Sequence, residues 1–153
     1  MIKYLVILMT SICANLGSSC DDMELCRETY HKITSEQDLL DFLNVFEEAD
    51  CYLAKPYKAS AIMHKAAFTI FPHKKMRYFK LGKNQLEEFI KNNPSDIEGR
   101  YVRVMTQANI PSILGYKDHM EGDVLFIKNN IKHSNLPDNY KELILKNIAE
   151  IKF

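Results

Sequence analysis

The sequence predicts an all-α fold, and three observations carry that prediction. Apolar residues recur at three- and four-residue spacing through nearly all of the chain beyond residue 20. Glycine and proline, which interrupt helices, number only five each. Pro56, Pro94 and Pro137 open new periodic runs, so the chain divides into helices joined by short turns. Its 153 residues suit one domain, and 46% hydrophobic residues with eight Phe and eight Tyr suffice for a packed core. The 20 basic and 20 acidic side chains cancel. That balance argues against a general nucleic-acid binder, whose affinity comes from an excess of Lys and Arg.

The first segment is different. Lys3 supplies a short basic start, and Tyr4–Leu16 is an apolar run of 13 residues. A bilayer-spanning helix needs roughly 20. The shorter run suits the core of a signal peptide, which makes 1–19 a signal and 20–153 a single helical domain. The run ends in Leu-Gly-Ser-Ser-Cys, and Cys20 is followed by Asp21 and Asp22. This block resembles the lipobox of bacterial lipoproteins, in a looser form with Gly17 where leucine is usual. The resemblance implies a diacylglycerol on the Cys20 sulfur; ordinary cleavage nearby would leave a plain thiol. Outside the cytoplasm disulfides persist. Cys13 leaves with the signal, and if Cys20 is acylated, Cys26 and Cys51 are the candidate disulfide, with free cysteines as the alternative.

The helices follow in order. Residues 22–33 form a weak one, with Met23, Cys26 and Tyr30 on one side. Thr34-Ser35 caps a second, whose stripe is Leu39, Phe42, Leu43 and Phe46. The third starts at Pro56 and aligns Ala59, Ile62, Met63, Ala66, Ala67 and Ile70, until Phe71-Pro72 breaks it. The fourth runs from about His73 to Lys91 with Phe79, Gly82, Leu86, Phe89 and Ile90 in register. Gly82 costs about 1 kcal/mol in helix propensity there, so it marks a close helix crossing. In the central helix, 94–109, Ser95 and Glu98 have the spacing of a capping box. Ile97, Tyr101, Val104, Met105 and Ala108 make its apolar face. Ile110–Asp118 is the longest irregular stretch. A sixth helix uses Met120, Val124, Ile127 and Ile131, and a last one from Pro137 uses Tyr140, Leu143, Ile144, Ile148 and Ile151.

Pro56, Pro94 and Pro137 lie 38 and 43 residues apart, near the size of a tetratricopeptide unit. The turn Asn92–Glu98 resembles the boundary between two such repeats. The architecture expected is antiparallel helix pairs stacked as a small tetratricopeptide-like array or bundle, about six to seven helices in all. The blocks 56–68, 75–90 and 93–116, with Asp123, Phe126 and Ile127, further resemble a family of short, exported helical proteins from Bacteroidota. The most specific block is E-x-R-Y-x-R-x-x-x-Q-x-N-x-P-x-x-L-G-Y, Glu98 to Tyr116. Gly99 and Ile113 stand where the family has bulkier residues. The resemblance implies a tetratricopeptide-like fold and an envelope location, and brings no activity with it.

Candidate sites are few. Arg100, Arg103 and Gln107 form a polar stripe on the central helix that could hold a partner's carboxylate or backbone. The alternative is that they satisfy the 110–117 loop or pair with Glu98 or Asp118. Tyr116 is a recognition residue or a loop anchor. His73, Lys74, Lys75, Arg77, Lys80 and Lys83, with Tyr78 and Phe79 between them, either face anionic lipid or form a solvated helix face. Asp118, His119, Glu121 and Asp123 lie close together but match no metal pattern, so no metal or cofactor is expected, and no motif marks a catalytic nucleophile. The expected function is a protein- or peptide-binding scaffold module in the cell envelope, in the periplasm or on the outer membrane, anchored through a lipid on Cys20. The alternative is a small envelope hydrolase with dispersed catalytic residues.

Overall fold

In the computed structural model, which describes residues 23–47 and 51–152, regular structure is entirely helical among the described residues. The helices are α1 (Met23–His31), α2 (Glu36–Glu47), α3 (Lys55–His64), α4 (Pro72–Asn92), α5 (Ile97–Asn109), α6 (Met120–Asn130) and α7 (Asp138–Ala149). Short 3-10 turns occupy Tyr52–Ala54, Ser112–Leu114 and Ile131–His133. The segment 1–19, read above as a signal, and Cys20 lie outside the described residues.

The helices pair as α1 with α2, α3 with α4 and α5 with α6. Across pairs, α3 meets α1, α2 and α5, α4 meets α5, and α7 packs on α5. The odd-numbered helices therefore run side by side as one layer, with the even-numbered ones lying against their odd-numbered neighbours. This is the stacking order of a small array of helix pairs, with α7 closing the odd layer.

Local chemistry explains most boundaries. At the start of α2, Ser35 Oγ accepts from the Asp38 amide at 3.2 Å. The Asp38 carboxylate accepts from the amides of Thr34 at 3.0 Å and Ser35 at 2.9 Å. Those bonds hold the Asp38 carboxyl below its usual range. The capping box expected at Ser95 and Glu98 does not form. The N-cap of α5 is Asp96, whose Oδ1 accepts from Gly99 N at 2.6 Å, and Glu98 is drawn into the interior. Gly99 is small for a reason, since a Cβ there would come within 2.8 Å of the Phe89 ring.

Two expectations are corrected. The third helix stops at His64 instead of reaching Ile70. Its chain tightens into turns through Phe68, with Ala67 N bonded to His64 O at 2.9 Å, and Ile70 is left 84% exposed. Cys26 does not pair with Cys51. It sits at 0% exposure on the inner face of α1, a free thiol whose pKa burial pushes up to about 12. Cys51, outside that face, is disulfide-bonded, with its sulfur 3.5 Å from Met23 Sδ.

The α3–α4 crossing depends on Gly82. A Cβ at that position would press on the Ala59 carbonyl and lie 2.6 Å from Met63 Cγ. Gly82→Ala is expected to destabilise by about 1–3 kcal/mol in spite of its better helix propensity. Gly122→Ala on α6, where a Cβ meets nothing within 4 Å, is expected to stabilise by about 0.5–1 kcal/mol. Urea denaturation of the two variants checks both, and a destabilisation shared by the two would show that the crossing is not the cause.

Candidate functional site

The polar chemistry converges on α5, from two sides. On the odd-helix layer, Glu98 lies at the start of α5 and is buried. Arg27 of α1 grips it with both arms, Nε to Oε2 at 2.9 Å and Nη2 to Oε1 at 2.6 Å. Tyr57 of α3 donates its hydroxyl to Oε2. With that proton committed, Tyr140 of α7 must be the donor in its 2.6 Å contact with Tyr57. His31 of α1 then meets the Tyr140 oxygen at 3.3 Å through a protonated Nε2, and burial lowers the pKa of the ring. The Arg27 guanidinium also lies 4.9 Å from the centre of the Tyr140 ring. Each odd helix thus supplies at least one member of a single cluster.

Hydroxyls extend this layer. Tyr30 meets Ser60 at 2.8 Å, Ser60 meets Thr106 at 2.8 Å, and Thr106 donates to Val102 O at 2.7 Å. Asn147 of α7 donates to the Tyr101 hydroxyl at 2.6 Å.

The opposite side of α5 carries the second cluster. Arg103 grips Asp123 of α6, Nε to Oδ2 at 2.7 Å and Nη2 to Oδ1 at 2.9 Å. Its third nitrogen reaches Glu87 of α4 at 2.7 Å. Tyr116 donates to the other oxygen of Glu87. Arg100 adds Nη1 to Asp123 Oδ1 at 2.6 Å and donates twice to Pro94 O, at 2.8 and 2.6 Å. Two cations meet two anions here. Burial opposes the charge on Arg103, and the bonds and charges of Asp123 and Glu87 outweigh it, so its pKa rises.

The predicted stripe therefore exists, but it does not line an open groove. Arg103 and Tyr116 are buried in the second cluster, and Arg100 is half-buried against Phe126, its guanidinium 4.2 Å from the ring centre. Gln107 is 0% exposed, and neither of its polar atoms has a hydrogen-bond partner. The partners of Arg103 are Asp123 and Glu87, not the loop carbonyls, Glu98 or Asp118. Asp123 has both oxygens turned to guanidiniums, surroundings that repel a metal cation. Among the described residues no three metal-ligating side chains converge.

What the second cluster holds in place is the 110–118 loop. Tyr116 fixes one end, Gly115 turns the chain at φ +57°, and Ile113 projects at 93% exposure. Ile113 does not pack under the loop. The first cluster escaped sequence reasoning because Arg27 and Tyr57 lie 71 and 41 residues from Glu98, and Glu98 itself has the spacing of a cap.

No family model matches the chain, and neither does any curated protein or solved structure. Among the described residues no helix is long and apolar enough to cross a membrane.

Two predictions follow from the clusters. Glu98→Leu strands the Arg27 guanidinium and is expected to cost about 3 kcal/mol. The double variant Arg27→Leu/Glu98→Leu should lose less than the sum of the singles; strict additivity in urea titrations would mean that the pair is not coupled. Tyr30, Tyr57, Tyr101, Tyr116 and Tyr140 all have raised pKa values, with burial the largest cause and Tyr101 pushed up to about 12. Unfolded tyrosines release their protons near 10 while these hold theirs, so stability is intact below pH 10 and falls above it. Tyrosinate absorbance from these five should rise together with the loss of helical circular dichroism, and ionisation well before unfolding would contradict their burial.

Proposed function

We propose that this chain is an exported helical-repeat protein that binds a protein or peptide in the cell envelope through its 110–118 loop. One observation carries the reading: an isoleucine 93% exposed at the tip of a loop tied down by a buried ion cluster. A partner docking there meets an apolar group already ordered, so little entropy is lost on binding. Loops positioned by a rigid scaffold are also where recognition residues concentrate. Arg100, Arg103 and Tyr116 then act by holding the loop, at one remove from the contact.

Export rests on Lys3 with the apolar run Tyr4–Leu16 and on the disulfide at Cys51, a bond that persists in oxidising compartments. The lipobox resemblance supports a lipid anchor at Cys20, and ordinary cleavage nearby would leave a plain thiol there. Intact mass of the mature protein, beside Cys20→Ala, separates the two. A diacylglyceryl mass with membrane retention means an anchor, and an unmodified oxidised chain means none.

The binding reading is tested by placing a photo-crosslinking amino acid at exposed Ser112 in producing cells. A discrete adduct is expected. Ile113→Asp should abolish it while changing stability by no more than about 0.5 kcal/mol. An adduct that survives this substitution overturns the reading.

A further inference from the structure

The zero net charge conceals a strong segregation. Between Asp50 and Glu87 the sequence has eight Lys or Arg residues and no acid, so the rest of the chain holds 12 cations against 20 anions. Lys55 and Lys58 lie at the start of α3, and the structure gathers five of the others around the opposite end of the α3–α4 pair. There the 65–71 turn exposes Ile70 at 84% and Phe71 at 48%. Lys74 Nζ lies 4.8 Å from the Phe71 ring centre. Lys65 and Arg77 approach the Tyr78 ring at 5.4 and 5.5 Å. Lys74, Lys75, Arg77 and Lys80 are exposed. None of these five cations forms an ion pair with a described residue. A pocket of about 210 Å³ opens beside the turn, between α2 and α4, with Lys65, Lys74 and Tyr78 in its wall and Glu36 as its one acidic lining residue. Lys83 belongs elsewhere, 4.6 Å from the centre of the Tyr116 ring, and Phe79 is buried.

We propose that this tip docks on an anionic lipid bilayer, Ile70 and Phe71 entering the interface while Lys65, Lys74, Lys75, Arg77 and Lys80 meet the headgroups. The pairing of features selects the partner. Cations near an anionic leaflet are each attracted to it, and apolar side chains gain by leaving water at the acyl boundary. A solvated helix face accounts for the lysines but gives no reason for an isoleucine and a phenylalanine at the turn. A nucleic-acid backbone would use the cations and leave Ile70 idle. The proposal rests on neither export nor a lipid at Cys20, because vesicle binding is measured in vitro on the unacylated protein.

The test is co-sedimentation of the oxidised mature chain, made without acylation, with vesicles of phosphatidylcholine alone or mixed with phosphatidylglycerol. Binding is expected only to the mixed vesicles and should fall steeply with added salt. Lys74→Glu/Arg77→Glu should lower the partition more than tenfold, since each cation contributes about fivefold. Ile70→Asp should lower it severalfold with all cations kept. All of these sites are exposed, and unchanged melting confirms that the variants fold. Equal binding to neutral vesicles overturns the proposal, as does full retention in either variant. Displacement by an oligonucleotide, with Ile70→Asp binding as the parent does, would mean that a polyanion is the ligand instead.

Discussion

A carboxylate taken out of water has to be met by positive charge and hydrogen-bond donors, or folding pays the full desolvation cost. Glu98 is such a group, and the odd-helix layer is arranged to meet it. Arg27 comes from α1 and Tyr57 from α3, and Tyr140 on α7 is reached through Tyr57. Because the guanidinium engages both oxygens, α1 cannot slide along α5 by a turn without losing both bonds at once. Apolar packing alone tolerates such shifts far better. The same demand on Glu98 removes it from capping duty, and Asp96 takes over.

The second cluster repeats this logic on the other face of α5. Arg103 reads the positions of α4 and α6 together, through Glu87 and Asp123. A central helix clamped from both layers has no outward face, which is why Glu98, Arg103, Thr106 and Gln107 are all buried with its apolar residues. Gln107 is the exception to the satisfied chemistry, an amide with no partner in the middle of the protein. An unsatisfied buried amide is costly, so α5 carries one polar group whose burial the two clusters do not offset.

How much of this could be read from the sequence depends on the range of the interaction. Periodicity reports one helix at a time, and it placed Phe79, Gly82, Leu86, Phe89 and Ile90 on one buried face of α4. It failed where alanines extended a helical period beyond the helix. Ala66 and Ala67 fit the stripe of α3, but the chain turns there and Ile70 faces water. The polar stripe of α5 was visible as a stripe, and its direction was not, because Asp123 and Glu87 lie 20 and 16 residues from Arg103. No local spacing rule joins residues that meet only when helices pack. Cys26 illustrates the same limit, since its burial as a free thiol depends on which face of α1 turns inward.

Charge segregation gives the molecule a preferred orientation at a charged surface. Five of the eight cations of the basic segment sit at the tip of the α3–α4 pair, and the remainder of the molecule is net acidic. Near an anionic leaflet the first is attracted and the second repelled, so a molecule with no net charge still experiences a torque. That torque falls off within a Debye length, about 8 Å at physiological salt, so it acts only close to the surface, where contact is made. Ile113 sits on a different element, on the loop between α5 and α6, and no cation from the basic segment except Lys83 approaches that loop's anchor. A bilayer docked on the tip and a partner docked on the loop, as proposed, would use separate surfaces. The second cluster, which holds the loop, also braces α4 through Glu87, and so ties the loop to the helix pair that carries the tip.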